Sequence, residues 1–246
     1  MPSAVFDQMA ARYDDLWTNT AVGGAQREAV WRRIIPLYRR GETILDLGCG
    51  TGEDAIYLER AGVMVRGLDA SPEMVHAARH RGVAASVLRI EELDRLSGSF
   101  DGALSNFGAL NCLEDIEILR EPLGRLVRTG GYFAACVMGR FCLWETAYYL
   151  GRGKLRQAGR RWRGIARGES LGLPVFYPTI RQIRKSLAPE FVLKQSFGIG
   201  VCVPPSYVRG FTGRAVTRLD ALDRRIAHRA WARAVSDHRL LILVRS

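Results

Sequence analysis

The sequence predicts an α/β fold: a mostly parallel, seven-stranded sheet with helices on both faces. Three observations carry this. Between residues 43 and 138 short apolar runs alternate with amphipathic segments, the rhythm of parallel strands joined by crossover helices. The first apolar run, Thr43-Ile44-Leu45-Asp46-Leu47, passes straight into Gly48-Cys49-Gly50-Thr51-Gly52, a strand that turns sharply into a helix. From Gly139 onward the rhythm breaks twice, at segments rich in arginine, which read as insertions.

Taken in order, residues 6–17 place Phe6, Met9, Ala10, Tyr13 and Trp17 at helical spacing, and residues 25–37 form a second helix ending near Pro36. After strand 43–47 and the glycine loop, residues 53–60 are helical, with Ala55, Ile56 and Leu58 on the apolar side and Gly62 as the stop. Strand 63–68 ends in Asp69. Ser71 caps helix 72–81, with Pro72 in its first position. Strands 84–90 and 100–106 follow, then helix 116–126, a turn at Thr129-Gly130-Gly131 and strand 132–138. Beyond the first break come an aromatic helix at 141–150, a helix at 179–187, strand 191–201 and a final strand, 239–244. The chain thus reads as one domain over 1–246. Its N-terminal helices occupy 1–40, the glycine-loop core 41–138, and insertions placed to cover a ligand 139–178 and 204–237.

Composition narrows the class. The chain has 246 residues, 48% of them hydrophobic, and a net charge of +11. The N-terminus lacks the pattern of a signal peptide, and no apolar run is long enough to span a bilayer. Five scattered cysteines with no C-x-x-C spacing favour a reducing, cytoplasmic setting. The positive charge is concentrated. Arg152, Lys154, Arg156, Arg160, Arg161, Arg163 and Arg167 form one acid-free run, and the seven arginines between Arg209 and Arg233 face only Asp220 and Asp223. An anionic membrane surface, an anionic substrate and nucleic acid all fit such segments, as does a plain preference for arginine, since only Lys154, Lys185 and Lys194 are lysines.

The glycine spacing separates two ligand classes. A dinucleotide loop wants G-x-G-x-x-G, whereas this one reads D-x-G-x-G-x-G, with Asp46 beside it. A carboxylate there suits an ammonium group better than a pyrophosphate. Asp69, at the end of the second strand, suits a ribose diol. The ligand implied is cationic at one end and a nucleoside at the other.

The runs Ile44 to Gly52 and Gly67-Leu68-Asp69-Ala70-Ser71 resemble motif I and its acidic partner in class I S-adenosylmethionine-dependent methyltransferases. Ala11-Arg12-Tyr13-Asp14 resembles the A-x-x-Y-D element found ahead of motif I in small-molecule members. The resemblance implies a Rossmann-like sheet whose last strand runs antiparallel. It also implies S-adenosyl-L-methionine as cofactor and S-adenosyl-L-homocysteine as product; the leading reading of the acceptor is a small organic molecule with an apolar body. It assigns to the cofactor Tyr13, Asp46, Gly48, Cys49, Gly50, Gly52, Asp69, Ala70, Ile90, Glu91, Asn106 and Phe107. One departure stands out: the family's Gly-Asp after strand three reads Leu88-Arg89 here, leaving Ile90 to supply backbone and Glu91 to replace the acid. His238, Tyr148 and Tyr207 are the candidates for catalysis, and Trp144, Tyr148, Tyr177 and Tyr207 for the substrate wall. His76 and His80 read as solvent-facing, and no ligand cluster suggests a metal. A nucleic-acid methyltransferase is the main alternative, opposed by Ser105-Asn106-Phe107-Gly108 where base modifiers carry an N-P-P-Y-type motif. A non-catalytic cofactor-binding scaffold is another.

Overall fold

The structure, a computed structural model, describes residues 2–167, 172–208 and 210–246; Arg209 of the second basic segment lies outside them. Two helices lead in, α1 (Pro2–Tyr13), which runs into a π-helical turn over Asp14–Thr18, and α2 (Ala21–Ile34). The core follows as β1 (Thr43–Leu47), α3 (Glu53–Arg60), β2 (Met64–Asp69), α4 (Pro72–His80), β3 (Ala84–Val87), β4 (Phe100–Ser105), α5 (Arg120–Leu126) and β5 (Val127–Met138). The first insertion holds α6 (Leu143–Leu150), α7 (Leu155–Ala158), a 3-10 turn (Arg160–Arg163) and a hairpin of β6 (Ile165–Arg167) with β7 (Pro174–Phe176). Then come α8 (Ile180–Leu187), β8 (Phe191–Ile199), α9 (Gly213–Ile226), α10 (Ala230–Val235) and β9 (His238–Arg245).

Seven strands form one sheet in the order β3-β2-β1-β4-β5-β9-β8, and β9 is antiparallel to both its neighbours. Alternation along each strand sorts the core into two layers. Leu45, Leu47, Ala103, Phe133 and Leu241 face α5 and α8, where Leu123, Leu126, Ile183 and Leu187 complete the packing. Ile44, Leu104, Ala134, Leu240 and Ile242 face α2, α3 and α4, meeting Val30, Ile34, Leu58 and Val75. Asp46 is in phase with Ile44, so its carboxylate turns towards α2 and α3. The C-terminal ends of β1, β2, β4, β5 and β8 and the start of β9 share one edge of the sheet, and the order reverses between β1 and β4. Open α/β sheets hold ligands at such a point.

Several sequence readings need correction. Strand three stops at Val87, and Ile90–Arg95 is a 3-10 turn. The second helix begins at Ala21, where the Thr20 hydroxyl accepts from Gly23 N. The run 116–126 opens as a 3-10 turn and becomes α-helical only from Arg120. Gly130, at φ +78°, bends β5 without ending it, and the pairing with β4 shifts register between Phe100 and Gly102. The second insertion carries helices α9 and α10. Asp223 of α9 accepts hydrogen bonds from the backbone N–H of Val201, Cys202 and Val203, fixing the exit of β8.

The first insertion closes around an ion cluster. Glu145 on α6 is 1% exposed and accepts paired hydrogen bonds from both Arg160 and Arg161. Arg161, itself buried, also donates to Asp237 Oδ1 at 2.9 Å. The arginines hold the Glu145 carboxyl below its ordinary range despite burial. Glu145→Ala leaves Arg161 buried with one carboxylate lost, and should cost about 3–5 kcal/mol of unfolding free energy in a urea titration; a loss under about 1 kcal/mol would show that the cluster is not holding the insertion.

Candidate active site

The glycine loop is pinned by its own backbone: Gly48 N and Cys49 N both donate to Leu68 O, at 2.8 and 2.9 Å. Its three glycines answer different demands. A Cβ on Gly48 would lie 2.3 Å from Ala109 Cβ, and one on Gly52 would lie 2.8 Å from Val83 Cγ2. A Cβ on Gly50 would meet nothing within 4 Å, so only Gly50 fronts open space. Cys49 is buried, and its Sγ lies against Gly67, where a Cβ would approach it to 2.8 Å. Cys49 therefore offers the site its backbone, not its thiol.

Asp69 Oδ2 accepts from Gly50 N at 2.9 Å and Oδ1 from Ser71 N at 2.9 Å. Burial raises its carboxyl, while the N–H groups of Ser71, Gly50 and Ala70 oppose the rise. A carboxylate has about four acceptor positions, so capacity remains for a ribose hydroxyl. Ile90 approaches the loop, its Cδ1 lying 4.0 Å from the Cβ position at Gly48. Glu91, by contrast, is exposed and pairs with Arg89 at 2.7 Å, which weakens its claim as the missing acid.

The other half of the site is built around two carboxylates. Asp54, at the start of α3, accepts from Arg27 Nη1 (2.6 Å), Trp31 Nε1 (2.6 Å) and Asn106 Nδ2 (3.1 Å to each oxygen). Asp46 is 1% exposed, and both its oxygens are buried with no hydrogen-bond partner. Asn106 turns its other end back, Oδ1 accepting from Phe107 N at 3.1 Å. That supports Phe107 at φ +46°, the one non-glycine residue in the left-handed region among those described. Such backbone costs about 1–3 kcal/mol and gathers at functional sites. Asn106 thus spends its polar atoms on positioning. The Arg27 guanidinium lies 5.2 Å from the Phe107 ring centre.

The N-terminal segment is fastened over the loop. Ser71 Oγ donates to Asp7, Thr51 Oγ1 donates to Asp14 at 2.8 Å, and Arg81 bridges Asp14, Glu53 and the Thr51 carbonyl. Tyr13 is held among the site charges: burial raises its phenol, Arg27 opposes, and Asp69, Asp54 and Asp14 reinforce. The sequence singled out Tyr13 but not Asp7, Arg27, Trp31 or Asp54. Only the acidic residue two positions after Gly52 was a visible hint of the last.

On the opposite wall His238 opens β9. Its Nδ1 is buried 3.3 Å from Asp237 Oδ2, and its ring meets Phe107 edge-on at 5.2 Å. Tyr207 donates to Glu145 Oε2 at 2.6 Å and lies 5.8 Å from the Tyr148 ring. Tyr177 is buried beside Arg161 (5.5 Å). The four candidate wall residues fall into two groups. Tyr148, Tyr177 and Tyr207 collect around the Glu145 cluster. Trp144 instead donates to Cys202 O at 3.0 Å and meets Phe211 edge-on, clamping the two insertions together. Tyr207, its hydroxyl bound to a carboxylate and its ionisation pushed up by burial and by Asp237, is no base.

The unpartnered carboxylate, the open face at Gly50 and the spare capacity of Asp69 fit a ligand with a cationic end and a nucleoside end. Comparison with known proteins agrees. The methyltransferase domain family matches residues 44–131. An uncharacterized protein of Methanocaldococcus jannaschii is 28% identical over 209 residues, covering 81% of this chain and 80% of its own. A demethylmenaquinone methyltransferase of Corynebacterium kroppenstedtii is 34% identical over 136 residues, 54% of this chain and 57% of that protein. The chain thus spans little more than half the length of that relative. The crystal structure of an S-adenosylmethionine-dependent methyltransferase from Mesorhizobium loti superposes with a TM-score of 0.61 at 19% identity, covering 93% of this chain and 99% of that one, which shows the shared fold.

Burial, and after it the neighbouring Asp54, raises Asp46 well above the ordinary carboxyl range, with Arg27 opposing. Between the ordinary and the raised pKa the folded chain binds more protons than the unfolded one, so its stability falls as pH rises through that window. Asp46→Asn should therefore make the unliganded chain about 1–3 kcal/mol more stable at neutral pH and flatten the decline between acid and neutral pH in thermal melts; a destabilised variant would mean that the carboxylate is already paired.

Proposed function

We propose that the chain is a class I S-adenosylmethionine-dependent methyltransferase that methylates a small organic acceptor held between the glycine loop and the two insertions. The observation that carries this reading is the buried, unpartnered Asp46 beside the loop, a position that an ammonium group would satisfy.

When bound, S-adenosylmethionine supplies a methyl group already activated on a sulfonium, so the protein's share is positioning and exclusion of water. Asp46 holds the ammonium and Asp69 the ribose hydroxyls, with Gly50 giving the close approach, Ala70 adjoining the base and Ile90 its backbone. Arg27 has donors beyond the one spent on Asp54 and suits the carboxylate at the same end. Tyr13, fastened through its neighbour Asp14 to Thr51, closes the outer side. Phe107 and His238 border the place where the acceptor atom would sit, and Tyr148 and Tyr177 form the far wall. That aromatic wall favours an acceptor with an apolar, aromatic body, and a relative named for demethylmenaquinone supports the same class. Cysteines that are all unpaired suit a reducing, cytoplasmic setting.

The reading is tested by calorimetric titration with S-adenosylhomocysteine, S-adenosylmethionine and NADH. Micromolar binding of the first two and none of the third is expected, with Asp69→Ala weakening it by about 1–3 kcal/mol and Asp46→Asn weakening it despite the more stable fold. Failure of both sulfur nucleosides to bind would overturn it. Acceptors can then be screened for a mass gain of one methyl.

His238 is the residue we assign to proton removal where the acceptor arrives protonated. Asp237 Oδ2 lies 3.3 Å from its Nδ1, an ion-pair contact that lacks hydrogen-bond geometry. His238→Gln should lower kcat by about 100-fold or more and leave S-adenosylhomocysteine affinity unchanged. An unchanged kcat would make His238 a packing residue.

A further inference from the structure

The first insertion is built inside out. The inward side of α6 presents Glu145 and Tyr149, both buried. Its outward stripe is Leu143, Ala147 and Leu150, one and two turns apart, with the leucines 51% and 50% exposed. The same exposure continues along the chain: Leu155 on α7 is 70% exposed, Trp162 56% and Ile165 49%. Between and beside these apolar side chains stand Arg152, Lys154, Arg156, Arg163 and Arg167, all exposed and without an ion-pair partner among the described residues. The one acid between residues 139 and 167 is Glu145, which faces inward and is neutralised by Arg160 and Arg161. The ion cluster therefore accounts for two of the seven basic residues and leaves five outside.

A globular surface rarely presents this many large apolar side chains in one stretch, and the cations among them name the complement. We propose that this outward face docks on the surface of an anionic bilayer. The leucines, Ile165 and Trp162 would enter the boundary between headgroups and acyl chains, and the five cations would lie against lipid phosphates. Aliphatic side chains gain from acyl chains and gain nothing from bases. Only Trp162 could stack on a nucleotide, so the surface fits lipid better than RNA. A second copy of the chain fits worse, because a two-fold contact would bring the five cations of each copy against one another. This docking goes beyond methyl transfer and requires neither cofactor nor acceptor.

The test is co-sedimentation of the full chain with vesicles of phosphatidylcholine, with and without phosphatidylglycerol, at low and high salt. Each basic residue near an anionic surface is worth about fivefold in partitioning. Binding should therefore be strong to the phosphatidylglycerol vesicles, weak to the neutral ones and reduced by salt. Arg156→Gln with Arg163→Gln should lower it about 25-fold. Leu155→Ser with Trp162→Ser should lower it about tenfold or more. Both pairs lie on the surface and should leave the thermal midpoint and S-adenosylhomocysteine affinity unchanged. Equal binding to neutral vesicles, binding unmoved by either pair, a dimer that Leu155→Ser with Trp162→Ser dissolves in place of vesicle binding, or an RNA oligonucleotide that outcompetes the vesicles would each overturn the proposal.

Discussion

Asp46 and Asp54 lie on the same face of the sheet under opposite terms, and the site follows from the contrast. Asp54 is met by a guanidinium, an indole N–H and an amide, drawn from α2 and from the end of β4. Asp46 is met by nothing. A buried carboxylate left alone is expensive, and an asparagine or leucine would relieve it. It is tolerated because the elements around it are held from elsewhere. Arg27 and Trp31 tie α2 to α3 through Asp54. Asn106 ties the end of β4 to the same group and supports the strained backbone of Phe107. The glycine loop is held to β2 by backbone alone. Asp54 is the organising charge, and Asp46 is the one it leaves without a partner.

The insertions repeat this arrangement on a second centre. Glu145, Arg160, Arg161 and Asp237 bring two carboxylates and two guanidinium groups together in the interior, so their formal charges cancel. Burying such a set contributes little net stability but fixes geometry, because each member has one arrangement that satisfies it. The geometry fixed here is that of the far wall. Tyr207 is oriented by Glu145, and His238 is backed by Asp237, which Arg161 holds in turn. Asp237 stays well below the ordinary carboxyl range because His238 and Arg161 outweigh its burial.

The fold was legible in the sequence wherever local pattern and backbone geometry agreed. Strand 43–47 and helix 53–60 appear with the predicted bounds, because an apolar run stopped by glycine allows few alternatives. The parallel core, the antiparallel last strand and the two interruptions were likewise readable. Strand three was read too long because Leu88 and Ile90 are apolar for a different reason: they pack on the core from a 3-10 turn. The ion cluster was not legible. Glu145, Arg160, Arg161 and Asp237 are separated by up to 92 positions, and nothing in an arginine-rich run marks which members turn inward. For the same reason Arg27 and Asp54 escaped notice, since each is ordinary until the helices that carry them meet. The glycine loop was legible as a sharp turn, but the different demands on its three glycines needed the neighbours Ala109 and Val83.

This division between legible and illegible follows the chemistry. A displacement on an activated methyl group asks the protein for placement more than for reactive groups. In the half proposed to hold the cofactor, the short motifs of glycine and carboxylate lie within the stretch matched by the methyltransferase domain family, residues 44–131, and Tyr13 and Arg27 come from ahead of it. The half proposed to cover the acceptor lies largely in the insertions, outside that stretch, where the structure depends on contacts among Glu145, Arg161, Tyr207 and Asp237. Phe107 and His238 meet where the halves join, one contributed by β4 and the other by β9. A substitution that shifts either wall by a fraction of an ångström should therefore change the rate without changing the fold, because the reaction is governed by that distance and the sheet is not.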